Sequence, residues 1–133
     1  MTQIFLTVAA IFGGLSVAGG AFGAHALREK ISDRALEIFD TGARYQMYHA
    51  LALLFVAMLM SRTPSPPLTL VASGWLFIAG VVIFSGSLYA ISLTGIKSLG
   101  AMPSASAAIA PLGGISLMAG WLALAITAAT IKF

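Results

Sequence analysis

The chain has 133 residues, 59% hydrophobic and 8% charged, against about 25% charged for an ordinary soluble domain. No water-soluble fold of this size hides so much apolar surface, so its solvent is a bilayer, and a single membrane domain over 1–133 is expected. The formal net charge of +3 comes without charge runs, which fits a juxtamembrane segment and argues against a nucleic-acid surface. Cysteine is absent, which excludes disulfides, thiolate metal sites and thiol nucleophiles.

In chain order, residues 4–27 form the first expected span, ~36 Å of helix at ~1.5 Å per residue. Its apolar run and the small residues around Ala24-His25-Ala26 resemble a signal peptide, but a basic n-region is missing, so it reads as a span. Helical spacing puts Gly13, Ser16, Gly20 and Gly23 or Ala24 on one stripe, and Gly19-x-x-x-Gly23 adds a small-residue pair; such residues let a second backbone come close. Packing within the chain is the first expectation for that stripe, and a homodimer seam the second.

Residues 28–44 are the one long polar segment. Ser32 is placed to cap a short helix from Asp33, an acid suited to a first turn. Ala35, Leu36, Phe39 and Ala43 fall on one side, with Asp33, Arg34, Glu37, Asp40 and Arg44 mostly on the other. This pattern predicts an amphipathic interfacial helix over about 33–41, stopped at Thr41-Gly42. The second span is expected over 44–60, short for a crossing but extended by Arg44 and Tyr45 at the interface. Ser61 to Pro67, with three prolines, reads as a tight turn.

The third span is expected over 68–93, with Gly74, Gly80 and Gly86 as close-packing positions. Residues 94–103 form the next loop. A fourth span over 104–131 is interrupted at Pro111, by a kink in one helix or by a break, and the kink is the preferred reading. The fold class is therefore all-α: an integral membrane four-helix bundle with a short amphipathic interfacial helix between spans 1 and 2. Lys and Arg number five in the first and third loops (Arg28, Lys30, Arg34, Arg44, Lys97) and two on the other side (Arg62, Lys132). The positive-inside rule then puts loops 28–44 and 94–103 in the cytoplasm and both termini outside.

Gly19 to Leu54 holds both histidines, all four acids and four of the seven basic residues. With the second span starting near Arg44, several groups gather at the cytoplasmic end: His25, Arg28, Arg44, Tyr45, Tyr48, His49, Ser85, Ser87, Tyr89 and Lys97. Ser104 and Ser106 open the fourth span at that end, and Trp75 and Trp121 fall in the opposite half. Anchoring in the headgroup region and internal hydrogen bonding explain such residues first; a binding role is the second reading.

Particular chemistries fare unevenly. His25 and His49, at similar expected depth, are the one pair able to ligate a b-type haem, so no cofactor is expected and haem is the sole alternative. A metal site lacks further ligands, since no carboxylate lies within a span. Ser85 and His49 have no buried acid to complete a hydrolytic set, and proton-coupled export lacks an embedded carboxylate. Arg, Tyr and His at this depth best suit a lipid or quinone head group. The glycines lie in apolar helix and form no nucleotide loop.

Four motifs in order, GAFGAHAL at 20–27, TGARYQMYHALALL at 41–54, FSGSLY at 84–89 and PLGG at 111–114 with Gly120-Trp121, resemble the membrane family called domain of unknown function 423. That family includes bacterial YgdD-type proteins and is related to eukaryotic transmembrane protein 256. The resemblance covers essentially the whole chain and implies a multi-span bacterial inner-membrane protein. It brings no catalytic residue. Its motif positions include His25, Tyr45, Gln46, His49, Ser85 and Tyr89.

Three readings remain open, the third and lowest being an enzyme or haem protein. The first is a non-enzymatic accessory or assembly component that packs through its glycines against a larger membrane complex or a second copy. The second is a binder or carrier of a lipid, quinone or small hydrophobic molecule, using His25, Arg44, Tyr45, Tyr48, His49, Ser85, Ser87 and Tyr89.

Overall fold

The computed structural model describes residues 1–94 and 104–131, the side chains of 104–108 excepted. The described residues form α1 (Thr2–Phe22) continued by a π-helical turn (Gly23–Leu27), α2 (Asp33–Arg62), α3 (Leu68–Leu93) and α4 (Ser104–Thr130). Among the described residues, three stretches are long and apolar enough to cross a membrane, Thr2–Leu27, Leu68–Leu93 and Ile109–Thr130. α2, with its charged first half, is not among them. Each helix packs chiefly on its neighbour in sequence, α1 on α2, α2 on α3 and α3 on α4.

The main departure from expectation is α2. Ser32 caps it as foreseen, its hydroxyl accepting from the Ala35 amide at 3.1 Å. The helix then runs unbroken for 30 residues through Thr41-Gly42. The segment expected as a separate interfacial helix is thus the opening of α2. Gly42 serves packing rather than a helix end: a Cβ there would lie 3.0 Å from the Tyr89 ring. α4 is likewise continuous through Pro111, so the break reading fails.

The apolar core occupies the half of the bundle nearer the N-terminus of α1. Phe5 and Ala9 meet Leu53, Val56 and Met60 of α2, Leu70, Phe77 and Val81 of α3, and Leu117 and Leu124 of α4. Close approach comes from glycines. A Cβ on Gly74 would strike the Phe5 ring, one on Gly113 the Phe84 backbone, and one on Gly120 the Phe77 ring. In a solvent as apolar as the side chains, such packing and interhelical hydrogen bonds hold helices together. Ser116 supplies one by donating to the Leu76 carbonyl at 2.9 Å, and Thr69 and Thr127 share another at 2.7 Å. Most outward positions are large and apolar, among them Leu15, Val17, Val82 and Leu122.

The expected stripe on α1 divides. Ser16 and Gly23 face α2, whereas Gly13 and Gly20 have nothing within 4 Å of a built Cβ. The seam in use is Ser16, Gly19 and Gly23, against Phe39, Asp40 and Ala43. On α3, Gly86 is also open. Lys97, Lys132 and most of the 94–103 loop lie outside the described residues, as do the side chains of Ser104 and Ser106.

Candidate functional site

Because α2 is one helix, its 3.6-residue period turns Tyr45 and Tyr48 away from Gln46, while His49, three residues on from Gln46, stays at the edge of the same buried face. Gln46, with Gly42 and Ala43, faces α1 and α3. Its amide donates to the Phe12 carbonyl at 2.8 Å, and its side-chain oxygen accepts from the Tyr89 hydroxyl at 2.9 Å. Ser16 donates to the Ala43 carbonyl and Ser85 to the Gly42 carbonyl, both at 2.8 Å. Together they form a polar spine through three helices in which each group has a partner. Tyr89 also packs its ring on Phe39, at 4.9 Å between centroids.

The edge of that face carrying His49 turns toward α4. His49 is 5% exposed. Its Nε2 accepts from the Trp121 indole N–H at 3.1 Å, and its Nδ1 is 2.7 Å from the Tyr45 carbonyl. One arrangement satisfies both contacts, a neutral ring with the proton on Nδ1, donated to that carbonyl. Phe77 and Trp121 enclose the imidazole, with centroids 5.6 and 6.1 Å away.

Beside this pair a groove of about 650 Å³ opens between α2 and α4. Tyr45, Tyr48 and His49 form one wall and Leu117, Met118 and Trp121 the other; Phe84 of α3 is the floor. Tyr45 sits over the Phe84 ring at 5.3 Å and edge-on to Tyr48 at 5.7 Å. Tyr48 and Trp121 stay about half exposed at 52% and 48%. The volume is that of an ordinary small-molecule pocket. At one end Thr41 also lines a second cleft, of about 410 Å³, between Leu88 and a charged stretch of α2 containing Arg34, Glu37, Asp40 and Arg44.

The residues expected to share one rim are therefore divided. Tyr45, Tyr48 and His49 meet in the groove, while Ser85 and Tyr89 belong to the spine. Ser87 donates to the Phe84 carbonyl of its own helix. Arg44 lines the charged cleft, and Arg28 is exposed. His25 lies exposed on the π turn, far from His49. Gly23 packs on Phe39 and Asp40, so His25 is level with the first turns of α2, about 12 residues or ~18 Å from His49. The similar depth expected of the two histidines is overturned, because α2 begins eleven residues before Arg44, and no single iron reaches both. Ser85 is likewise bonded to Gly42, not to His49.

Trp121, Phe84 and Met118 were not anticipated in the site. Trp121 was expected in the opposite half, yet it is hydrogen-bonded to His49. No spacing in the sequence signals that pairing. Gln46, the hub of the spine, had only its place in the family motif to recommend it.

Among known families, the model described as a protein of unknown function (DUF423) matches residues 19–114. The chain is similar to the UPF0382 membrane protein YwdK of Bacillus subtilis strain 168, 43% identical over 95% of this chain and 96% of that one. It is also similar to a UPF0382 membrane protein of Staphylococcus epidermidis, 40% identical over 98% of both chains, and to one of Staphylococcus aureus strain RF122, 41% identical over 98% of both. No solved structure matches.

Proposed function

From a chain that belongs to the DUF423 family of membrane proteins, we propose a binder of an amphiphile, held in the groove between α2 and α4. One observation carries this reading: an aromatic groove and a charged cleft lie side by side on α2, with Thr41 lining both. Arg62 closes α2 at one end, and Arg44 lies 18 residues earlier, ~27 Å along the helix and close to the ~30 Å of a hydrocarbon layer. With those two residues at its borders, the cleft falls at head-group level and the groove in the acyl region. An amphiphile entering from the bilayer would put its polar end at Arg44 and its apolar part along Tyr45, Tyr48, Met118 and Trp121. No reaction is assigned to it.

Native mass spectrometry of mildly extracted protein tests this. The wild type should retain one copy of an amphiphile, and Gly114→Leu, which fills the groove, should fly bare. Loss of nothing on filling, or a bare wild type, would overturn the reading. The accessory-component reading has its support in Gly13, Gly14 and Gly20, where a built Cβ meets nothing within 4 Å. Recovery of a protein partner in place of an amphiphile would favour it.

By the positive-inside rule, this reading takes the start of α2 to the cytoplasmic side of a bacterial inner membrane. A cysteine at Ser32 should then be shielded from an impermeant reagent in intact cells and one at Ser65 labelled. The reverse labelling would invert this orientation.

A further inference from the structure

The charged cleft narrows the class of ligand. Of its four charged residues, Arg34 and Glu37 answer each other at 3.1 Å. Asp40 and Arg44 form no ion pair within 4 Å among the described residues. One acid and one base are thus left over, a single helical turn apart on α2, ~6 Å between Cβ atoms. A purely anionic head would meet Arg44 but also the Asp40 carboxylate, and like charges repel. A quinone head could accept from Arg44 but has no donor for the Asp40 carboxylate. Resting on the amphiphile reading above, we propose that the ligand is a zwitterionic aminophospholipid with a phosphoethanolamine head.

The fit follows from the head group's own chemistry. Its ammonium lies two carbons from its phosphate, so a single head reaches a carboxylate and a guanidinium one turn apart. Arg44 takes the phosphate through its forked donors, and Asp40 accepts from the primary ammonium; both are charge-assisted hydrogen bonds. Thr41, between them on the helix, lines both the cleft and the groove. One acyl chain then runs over Phe84 between Tyr45 and Met118. The Asp40 carboxylate leans toward α1, 3.2 Å from where a Cβ on Gly23 would be, and with Arg44 it also lines a smaller cleft beside Gly20.

The test is a head-group series with identical acyl chains, titrated into detergent-solubilised full-length protein and read by native mass spectrometry. Phosphatidylethanolamine should bind about tenfold more tightly than phosphatidylglycerol, and more tightly than phosphatidylcholine, whose methylated nitrogen has no proton to donate. Asp40→Asn should bring the first two to parity. Arg44→Gln should weaken every phospholipid, and Glu37→Gln, whose carboxylate Arg34 already occupies, should leave the preference unchanged. Equal affinity across the wild-type series overturns the inference, whether or not the variants fold. Binding of an isoprenoid quinone alone overturns it too but leaves the amphiphile reading standing; binding of no amphiphile defeats both.

Discussion

The spine and the groove both draw polar groups to α2 and use them differently. Toward α1 and α3, Gln46 is bonded at both ends of its amide, and Ser16, Ser85 and Tyr89 all reach acceptors inside the bundle. Toward α4, His49 is satisfied, but the hydroxyls of Tyr45 and Tyr48 have no bond among the described residues and border open space. A group without a water partner in a bilayer must find one in protein. The spine has spent its hydrogen-bonding capacity on holding three helices together, whereas the groove keeps some in reserve. Residue type does not separate the two, since each contains tyrosine; saturation does.

Breaking that contrast should give graded effects. The largest is expected at Gly113, where any side chain meets the Phe84 backbone. Gly113→Leu should part α3 from α4 and cost about 3 kcal/mol or more, seen as early thermal unfolding in detergent, with binding lost. Next comes the spine. Gln46→Leu removes two interhelical hydrogen bonds and should cost about 1–2 kcal/mol while leaving amphiphile retention intact. Were Gln46→Leu to abolish retention in protein that still folds, the division between spine and groove would be wrong.

Trp121→Phe sits between the two. It keeps an aromatic ring but removes the donor to His49, so stability should fall by about 0.6 kcal/mol, with a clear weakening of the ligand. Smallest of all, Tyr48→Phe and Gly20→Ala should each shift stability by less than about 1 kcal/mol. Gly20→Ala meets nothing within 4 Å. Only Tyr48→Phe should alter binding, as read by ligand retention.

Much of the fold was legible before any coordinates. A helix over Leu68–Leu93 and the cap at Ser32 were readable from local chemistry, and the turn expected over Ser61–Pro67 holds from Thr63, Ser61 and Arg62 being the last residues of α2. Thr41-Gly42 misled because a glycine that ends a helix and one that admits a neighbouring ring look alike in sequence. Tyr89, more than forty residues away, decides between them. That misplaced helix end carried the depth error for His25 and His49 with it.

Composition and hydropathy by themselves determined the solvent, the helical class and the polar character of residues 28–49, because these depend on transfer free energies and local periods. Which glycines form seams, and that Gln46 belongs to a closed network while Tyr45 borders an open groove, were decided by the tertiary structure alone. The physical reason is that saturation of a polar group, or space beside it, is a property of its neighbours. Those neighbours are Phe12, Tyr89 and Trp121, each on a different helix.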